Sequence, residues 1–210
     1  LNNDMILFFK MLIFRRFFSR LSSMNSKPLT IVVALDDNNG IGRDNTIPWH
    51  IKNDLKFFRF VTSSKTDANK QNAVIIGRKT YETFPKPLPN RLNIVVSSNS
   101  TLPNTNYPNV VLVNSFSDAI QRANESDIEN IFIAGGVRIY EEAIETNSVQ
   151  RMFITRVKGD FHCTSNWSSF NTKNFHRIQP IPSEYKEFFE TSQENQTQPE
   201  YHLEIYEKDV

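Results

Sequence analysis

Leu29 to Leu35, LTIVVAL, is a β-branched apolar run with no polar alternation, the pattern of a strand covered on both faces. A chain that contains such a strand has to supply helices to both sides of a sheet. The pattern recurs at Asn72 to Ile76 (NAVII), Leu92 to Val96 (LNIVV) and Asn130 to Ala134 (NIFIA), with a shorter run at Val110 to Val113 and a longer one, RMFITRV, at Arg151 to Val157. Helical patterns separate most of these runs. Tyr201 to Tyr206 (YHLEIY) alternates instead and follows a polar, helix-poor stretch. The succession predicts an α/β fold, a doubly wound sheet that is mostly parallel with an antiparallel C-terminal edge and helices on both faces.

A chain of 210 residues is long enough for one such domain and short for two. Its 24 Lys and Arg nearly balance its 23 Asp and Glu, so no nucleic-acid or membrane-surface partner is expected and an anionic ligand has to be met by local clusters. The single Cys163 excludes an internal disulfide and favours a reducing compartment. Met5 to Ser23 is apolar, basic and free of acids. The run is broken by Lys10 and too short to span a membrane, and its charges follow the apolar part, the reverse of a secretory signal. Two readings stay open, a mitochondrial-type presequence or a segment foreign to the natural protein. The domain is therefore placed at residues 24–210, with 1–23 as an extension.

Asn39 to Thr62 begins as a glycine-containing loop and turns into an amphipathic helix starting near Ile51 or Lys52. Leu55, Phe58 and Phe60 or Val61 make its apolar stripe, and Asp54 falls one turn before Phe58 on the same face. An acid among aromatics suits a flat ligand with a polar edge. An acid in a first turn also simply complements the helix dipole, and this stretch alone does not separate the two readings.

Other junctions carry chemistry as well. The strand ending at Gly77 runs into Arg78, Lys79 and Thr80 at a helix start, where backbone N–H groups, dipole and cations converge on an anion. Arg91 follows the stiff turn Pro85 to Pro89, placed either to grip a carboxylate or as an ordinary surface arginine. Gly135-Gly136 lies between a strand and the pattern VRIYEEAIE, suiting close approach to a pyrophosphate or a plain tight turn. Thr155, on a strand, can satisfy a buried carboxylate. There is no HExxH, G-x-S-x-G or P-loop, so nucleophilic and metal chemistry lack candidates.

Taken in order, VVALDDNNGIG, IPWHIKNDLKFF, VIIGRKTYETF, PLPNRLNIVVSS, IFIAGGVRIY, FITRV and YHLEIYEK resemble dihydrofolate reductase over nearly all of Thr30 to Lys208. The resemblance implies an eight-stranded sheet that holds NADPH and dihydrofolate across a crevice. It implies Asp54 as the acid of the pteridine pocket, with Trp49 beside it and Thr155 holding it. Desolvation by Phe58, Leu55 and Trp49 should raise its pKa. Val33, Leu55, Phe58, Thr80, Phe84, Leu88 and Ala134 would line the substrate, and Arg91 would pair with its glutamate carboxylate.

On the cofactor side the resemblance assigns the phosphates to Arg78, Lys79 and Thr80. It assigns the nicotinamide carboxamide to backbone groups of Ala34 and Ile41, and a cis-linked pair to Gly135 and Gly136. Gly42, Gly77, Ser97, Ser98, Val137, Arg138, Ile139 and Tyr140 complete the set. Asn39 to Trp49 would close over the nicotinamide. Antifolate inhibitors are implied as ligands, with a monomer as the default state, the cytoplasm as location (the mitochondrion if residues 1–23 are a presequence), and no thymidylate synthase domain after the last strand.

Three departures stand out. Ala134 replaces a larger aliphatic, His50 follows Pro-Trp and is expected in solvent, and Thr164 to Ser168 replaces the usual turn. Rival readings are a reductase of another pterin or pyrimidine, which has no need of Arg91, and a binding protein without turnover.

Overall fold

The structure is a computed structural model that describes residues 26–99, 106–189 and 198–209. The N-terminal extension lies outside the described residues. The first apolar run forms β1 (Leu29–Leu35), followed by the short β2 (Gly40–Gly42) and helix α1 (Lys52–Ser63). Next come β3 (Gln71–Gly77), α2 (Arg78–Glu82), β4 (Arg91–Val96) and β5 (Val110–Val113). They are followed by α3 (Phe116–Ala123), β6 (Ile128–Ile133), α4 (Val137–Glu145) and β7 (Val149–Val157). The polar stretch holds β8 (Ser165–Asn166), β9 (Phe175–Arg177) and the single turn α5 (Ser183–Lys186), and β10 (Tyr201–Lys208) completes the sheet.

The main sheet has eight strands in the order β5-β4-β3-β6-β1-β7-β10-β9. All pairings from β5 to β7 are parallel, and β10 is antiparallel to both β7 and β9. This is the doubly wound, mixed sheet expected from the pattern of apolar runs. Strands β6 and β7 each begin two residues earlier than their apolar cores, because Ile128 and Val149 already pair with Gln71 and Leu29.

Side-chain alternation along the strands feeds two cores. Leu29, Ile31, Ile75 and Ile133 pack with Phe116, Ala119 and Ala123 of α3 and with Ile139, Tyr140 and Ala143 of α4. On the opposite face, Val32, Val74 and Ile76 pack with Phe57 and Val61 of α1 and Tyr81 of α2. Strand β6 thus lies between β3 and β1, whose following helices take one face, while its own following helix takes the other. The chain parts at the carboxyl end of β6, the position where an open α/β sheet forms a ligand crevice.

The stripe expected on α1 needs correction. Leu55 and Phe60 are 52% and 40% exposed, whereas Phe57, absent from that stripe, is 1% exposed. Its ring makes edge contacts with Phe153, Tyr185, Phe188 and Phe189, at centroid distances of 5.1–5.7 Å. Three of those partners come from the stretch before β10 that has no helical or strand pattern, so the phase of α1 was set by residues the local periodicity could not reveal.

Candidate active site

Asp54 stands in the first turn of α1, whose N-cap, Ile51, offers no side-chain bond. The carboxylate turns toward the sheet instead, where Thr155 Oγ1 donates to Asp54 Oδ1 at 2.5 Å. Thr155 is 2% exposed and sits beside Ala34 in the parallel pairing of β7 with β1. Burial pushes the Asp54 carboxyl up to about 6, against the Thr155 bond, which acts to lower it. Tyr140 responds to the same acid: burial first, then the Asp54 charge, raises its phenol, which donates to Val32 O at 3.2 Å.

Trp49 is 8% exposed and packs edge-on against Phe161 at 5.1 Å. Its Nε1 is buried and has no acceptor among the described residues, so this donor is available to a bound polar molecule. His50 is exposed, as expected. Phe58, Phe84, Leu88 and Ala134 are all partly buried around the core under α1 and α2. Leu55 stands on the open side of α1. Val33 is 7% exposed and points into the core under α3 and α4, away from the face that carries Asp54, so any contact it makes in the crevice is through its main chain.

Arg91 is not a surface arginine. It is 2% exposed, and its two recorded partners are neutral: Nε donates to Pro89 O at 3.0 Å and Nη1 to Thr62 Oγ1 at 2.6 Å. Burial, then the nearby Arg59 charge, lowers its guanidinium to about 10. No acid pairs with it among the described residues, so the cation is free to take a carboxylate from a ligand. Thr62 was missed by the sequence reading. It lies one turn after Phe58 and donates to Phe58 O at 2.6 Å, a polar residue ending the buried face of α1.

The carboxyl ends of β3 and β6 meet at Gly77 N, which donates to Gly135 O at 2.6 Å. Gly135-Gly136 is a cis peptide, and Gly135 has φ +98°. A Cβ on Gly135 would come within 2.9 Å of Tyr140 Oη, and one on Gly136 within 3.3 Å of Thr80 Oγ1 and 3.8 Å of Ile41 Cδ1. A side chain is thus excluded at Gly135 and crowded at Gly136, where the two strands, α2 and β2 converge. Helices α2 and α4 both start there, behind Gly77 and Gly136, without side-chain caps. Their first N–H groups are therefore not satisfied by cap side chains.

Around this point Lys79 is exposed, and Arg78 Nη1 is shared with Glu82 at 3.0 Å. Gly42 and Val137 are partly buried, Ser98 is exposed and Ser97 is 5% exposed, with its Oγ accepting from Asn99 N at 2.9 Å. Arg138 is turned outward onto Glu142 at 2.6 Å. Ile139 and Tyr140 are core residues at 4% and 3% exposure, with the Tyr140 ring stacked on Trp167 at 4.9 Å. Their side chains are thus spent on packing.

Two further polar residues hold the loop after β1. Asp36 is fully buried; Oδ1 accepts from Asn38 N at 2.9 Å and Gly40 N at 2.7 Å, and Oδ2 from Phe161 N at 3.3 Å. Arg156, next to Thr155, donates from Nη1 to Asp36 O and to Asn39 Oδ1, each at 3.0 Å. Neighbouring residues of β7 thus fix the acid of α1 and the loop carrying Ile41.

The chain is similar to known proteins over most of its length. The family model described as dihydrofolate reductase matches residues 28–208. The dihydrofolate reductase of Aedes albopictus is 34% identical over 194 residues, covering 87% of this chain and 98% of the relative. That of Drosophila melanogaster is 41% identical over 138 residues, 63% of this chain and 75% of the relative. That of Heliothis virescens is 31% identical over 168 residues, 77% and 91% respectively.

Proposed function

The chain belongs to the dihydrofolate reductase family, enzymes that reduce dihydrofolate to tetrahydrofolate, and from that premise we propose that it uses NADPH, with Asp54 anchoring the pterin and Arg91 the glutamate tail. The observation that carries the reading is the bond between Asp54 and Thr155, which holds a desolvated acid on the sheet-facing side of α1.

NADPH supplies the hydride when bound, delivered to C6 of the pterin. The residues at the β3–β6 junction suit that cofactor: Arg78 and Lys79 for its phosphates, with the extra phosphate favouring it over NADH, and Gly135 and Gly136 for close backbone approach. Ala34 and Ile41 offer main-chain groups to the carboxamide. The loop from Asn39 to Trp49 excludes water, and the Asp36 and Arg156 bonds hold its first half in place.

Asp54 binds the amino and ring nitrogens at one edge of the pterin. It sits too far from N5 to protonate it, so water carries that proton while the carboxylate orients and polarises the ring. Trp49 Nε1 supplies a buried donor beside it. Phe58 packs on the benzoyl ring with Phe84 and Leu88 opposite, and Arg91 closes on the carboxylate. Residues 24–210 act as one domain, with a monomer as the default state; the single Cys163 supports a reducing compartment, the cytoplasm, or the mitochondrion if residues 1–23 direct the chain there. Antifolates would take the same pterin pocket.

The test is NADPH consumption with dihydrofolate for the wild type and Asp54→Asn. The variant is expected to lose most of its rate at neutral pH and to regain part of it in acid, where the substrate arrives protonated. A wild type that binds both ligands yet consumes no NADPH would reduce the assignment to a binding protein on this fold.

A further inference from the structure

We propose that Asn93 and Asn109 are positioning residues for the substrate's tail, holding the Leu88–Arg91 turn in the one shape that presents both Leu88 and the Arg91 guanidinium. The proposal rests on the reading of Arg91 as the carboxylate grip.

The turn cannot hold itself. Pro85, Pro87 and Pro89 have no N–H, so residues 85 to 89 own only two backbone donors, at Lys86 and Leu88. Side chains replace the missing ladder. Asn93 Oδ1 accepts from Leu88 N at 2.9 Å, while its Nδ2 donates to Leu88 O at 2.9 Å and to Arg91 O at 3.0 Å. Asn109 Nδ2 donates to the same two carbonyls, Leu88 O at 3.0 Å and Arg91 O at 3.1 Å. The two asparagines are tied to each other, since Asn93 N and Nδ2 both donate to Asn109 O, at 2.8 Å and 3.2 Å.

Asn93 is fully buried in a strand otherwise apolar after Arg91. A carboxamide in such a place carries a desolvation cost unless all its bonds are made, and here every one is made to the turn or to the loop behind it. What the clamp fixes is functional geometry. The Pro89 carbonyl it stations accepts from Arg91 Nε, and Thr62 of α1 takes Nη1 from the other side. The guanidinium plane is thereby set by a turn that Asn93 and Asn109 shape. The pterin end of the crevice, where Asp54 and Thr155 meet, shares none of these bonds.

Steady-state kinetics on two substrates test this, with dihydrofolate against 6-methyl-7,8-dihydropterin, which has the ring and no tail. Asn93→Ala is expected to raise KM for dihydrofolate about tenfold, with kcat and the KM for the tail-less pterin moved by no more than about twofold. Arg91→Ala should show the same split, and the double variant should be no worse than Arg91→Ala alone, because both changes remove one function. If Asn93→Ala does not fold, Asn109→Ala, which removes two of the turn's bonds from a half-buried position, reads the same quantity. Equal losses on both substrates, or an unchanged KM for dihydrofolate in a folded variant, would overturn the proposal. Should Arg91→Ala itself leave KM for dihydrofolate unchanged, the fault lies with the carboxylate grip rather than with the clamp.

Discussion

Thr155 and Asp54 are joined hydroxyl to carboxylate at 2.5 Å, across 101 residues of sequence. The bond favours the charged acid and burial opposes it; burial dominates, and the carboxyl rises from an ordinary 3.8 to about 6. The folded protein therefore holds a proton that the unfolded chain has released between those two values, and stability falls as pH rises through that window. Above it the ionised acid costs on the order of 3 kcal/mol. Asp54→Asn is thus expected to raise the apoprotein's melting temperature at pH 7.5, with the gain shrinking toward pH 4. Thermal unfolding across that range checks it, and a variant less stable than wild type at pH 7.5 would contradict it.

Removing the hydroxyl should move the same acid further up. Thr155→Val leaves the shape and takes the one bond among the described residues that lowers the Asp54 pKa. The acid limb of the kcat/KM profile should shift to higher pH. Losing a bond to a charged group costs about 1.5–3 kcal/mol, a loss of at least about tenfold at neutral pH. Thr155→Ser keeps the donor and should stay near wild type.

The sheet was legible because parallel strands covered on both sides read as unbroken apolar runs, and LTIVVAL needs no partner to be recognised. Asp54, Thr155 and Gly135-Gly136 could be marked as candidates because each stands at a junction of period, an acid on a helix face, a hydroxyl in a strand, two glycines between strand and helix, but their roles came only from the resemblance of the whole series of motifs. Phe57, Asp36, Asn93 and Arg156 could not be marked. Nothing local says which of Asp36 and Asp37 is buried, or which of two adjacent phenylalanines meets aromatics from residues 185–189. Their roles are bonds to loop backbone or to distant rings, and such partners have no period.

The start of β2 allows a test by crowding. A Cβ on Gly40 would come to 2.5 Å from Cys163 Cβ, 2.6 Å from its Sγ and 2.8 Å from Asp36 Oδ2. Gly40→Ala must therefore push the loop off residues 161–163 at a cost of about 1–3 kcal/mol. Urea unfolding should show that loss, and turnover should fall with it. Cys163→Gly in the same chain removes both sulfur and Cβ and should recover much of each. Failure of the second change to help would mean that the loop is held elsewhere.

Cofactor choice turns on how much of Arg78 is free. Its Nη1 lies 3.0 Å from Glu82 Oε2, one helical turn away on a half-exposed face, whereas Lys79 is exposed and has no recorded ion-pair partner among the described residues. An exposed pair of this kind is worth only about 0.3–0.5 kcal/mol, so a phosphate competes with Glu82 easily. Arg78→Ala should raise KM for NADPH by about tenfold while leaving KM for NADH nearly unchanged, because only the former carries the extra phosphate. Glu82→Gln should act in the opposite direction, freeing Nη1 and lowering KM for NADPH alone by about twofold. Both effects should fade in high salt, since the groups face water. If Arg78→Ala raises KM for both cofactors equally, the arginine holds a phosphate common to both, and Lys79 becomes the residue that separates them.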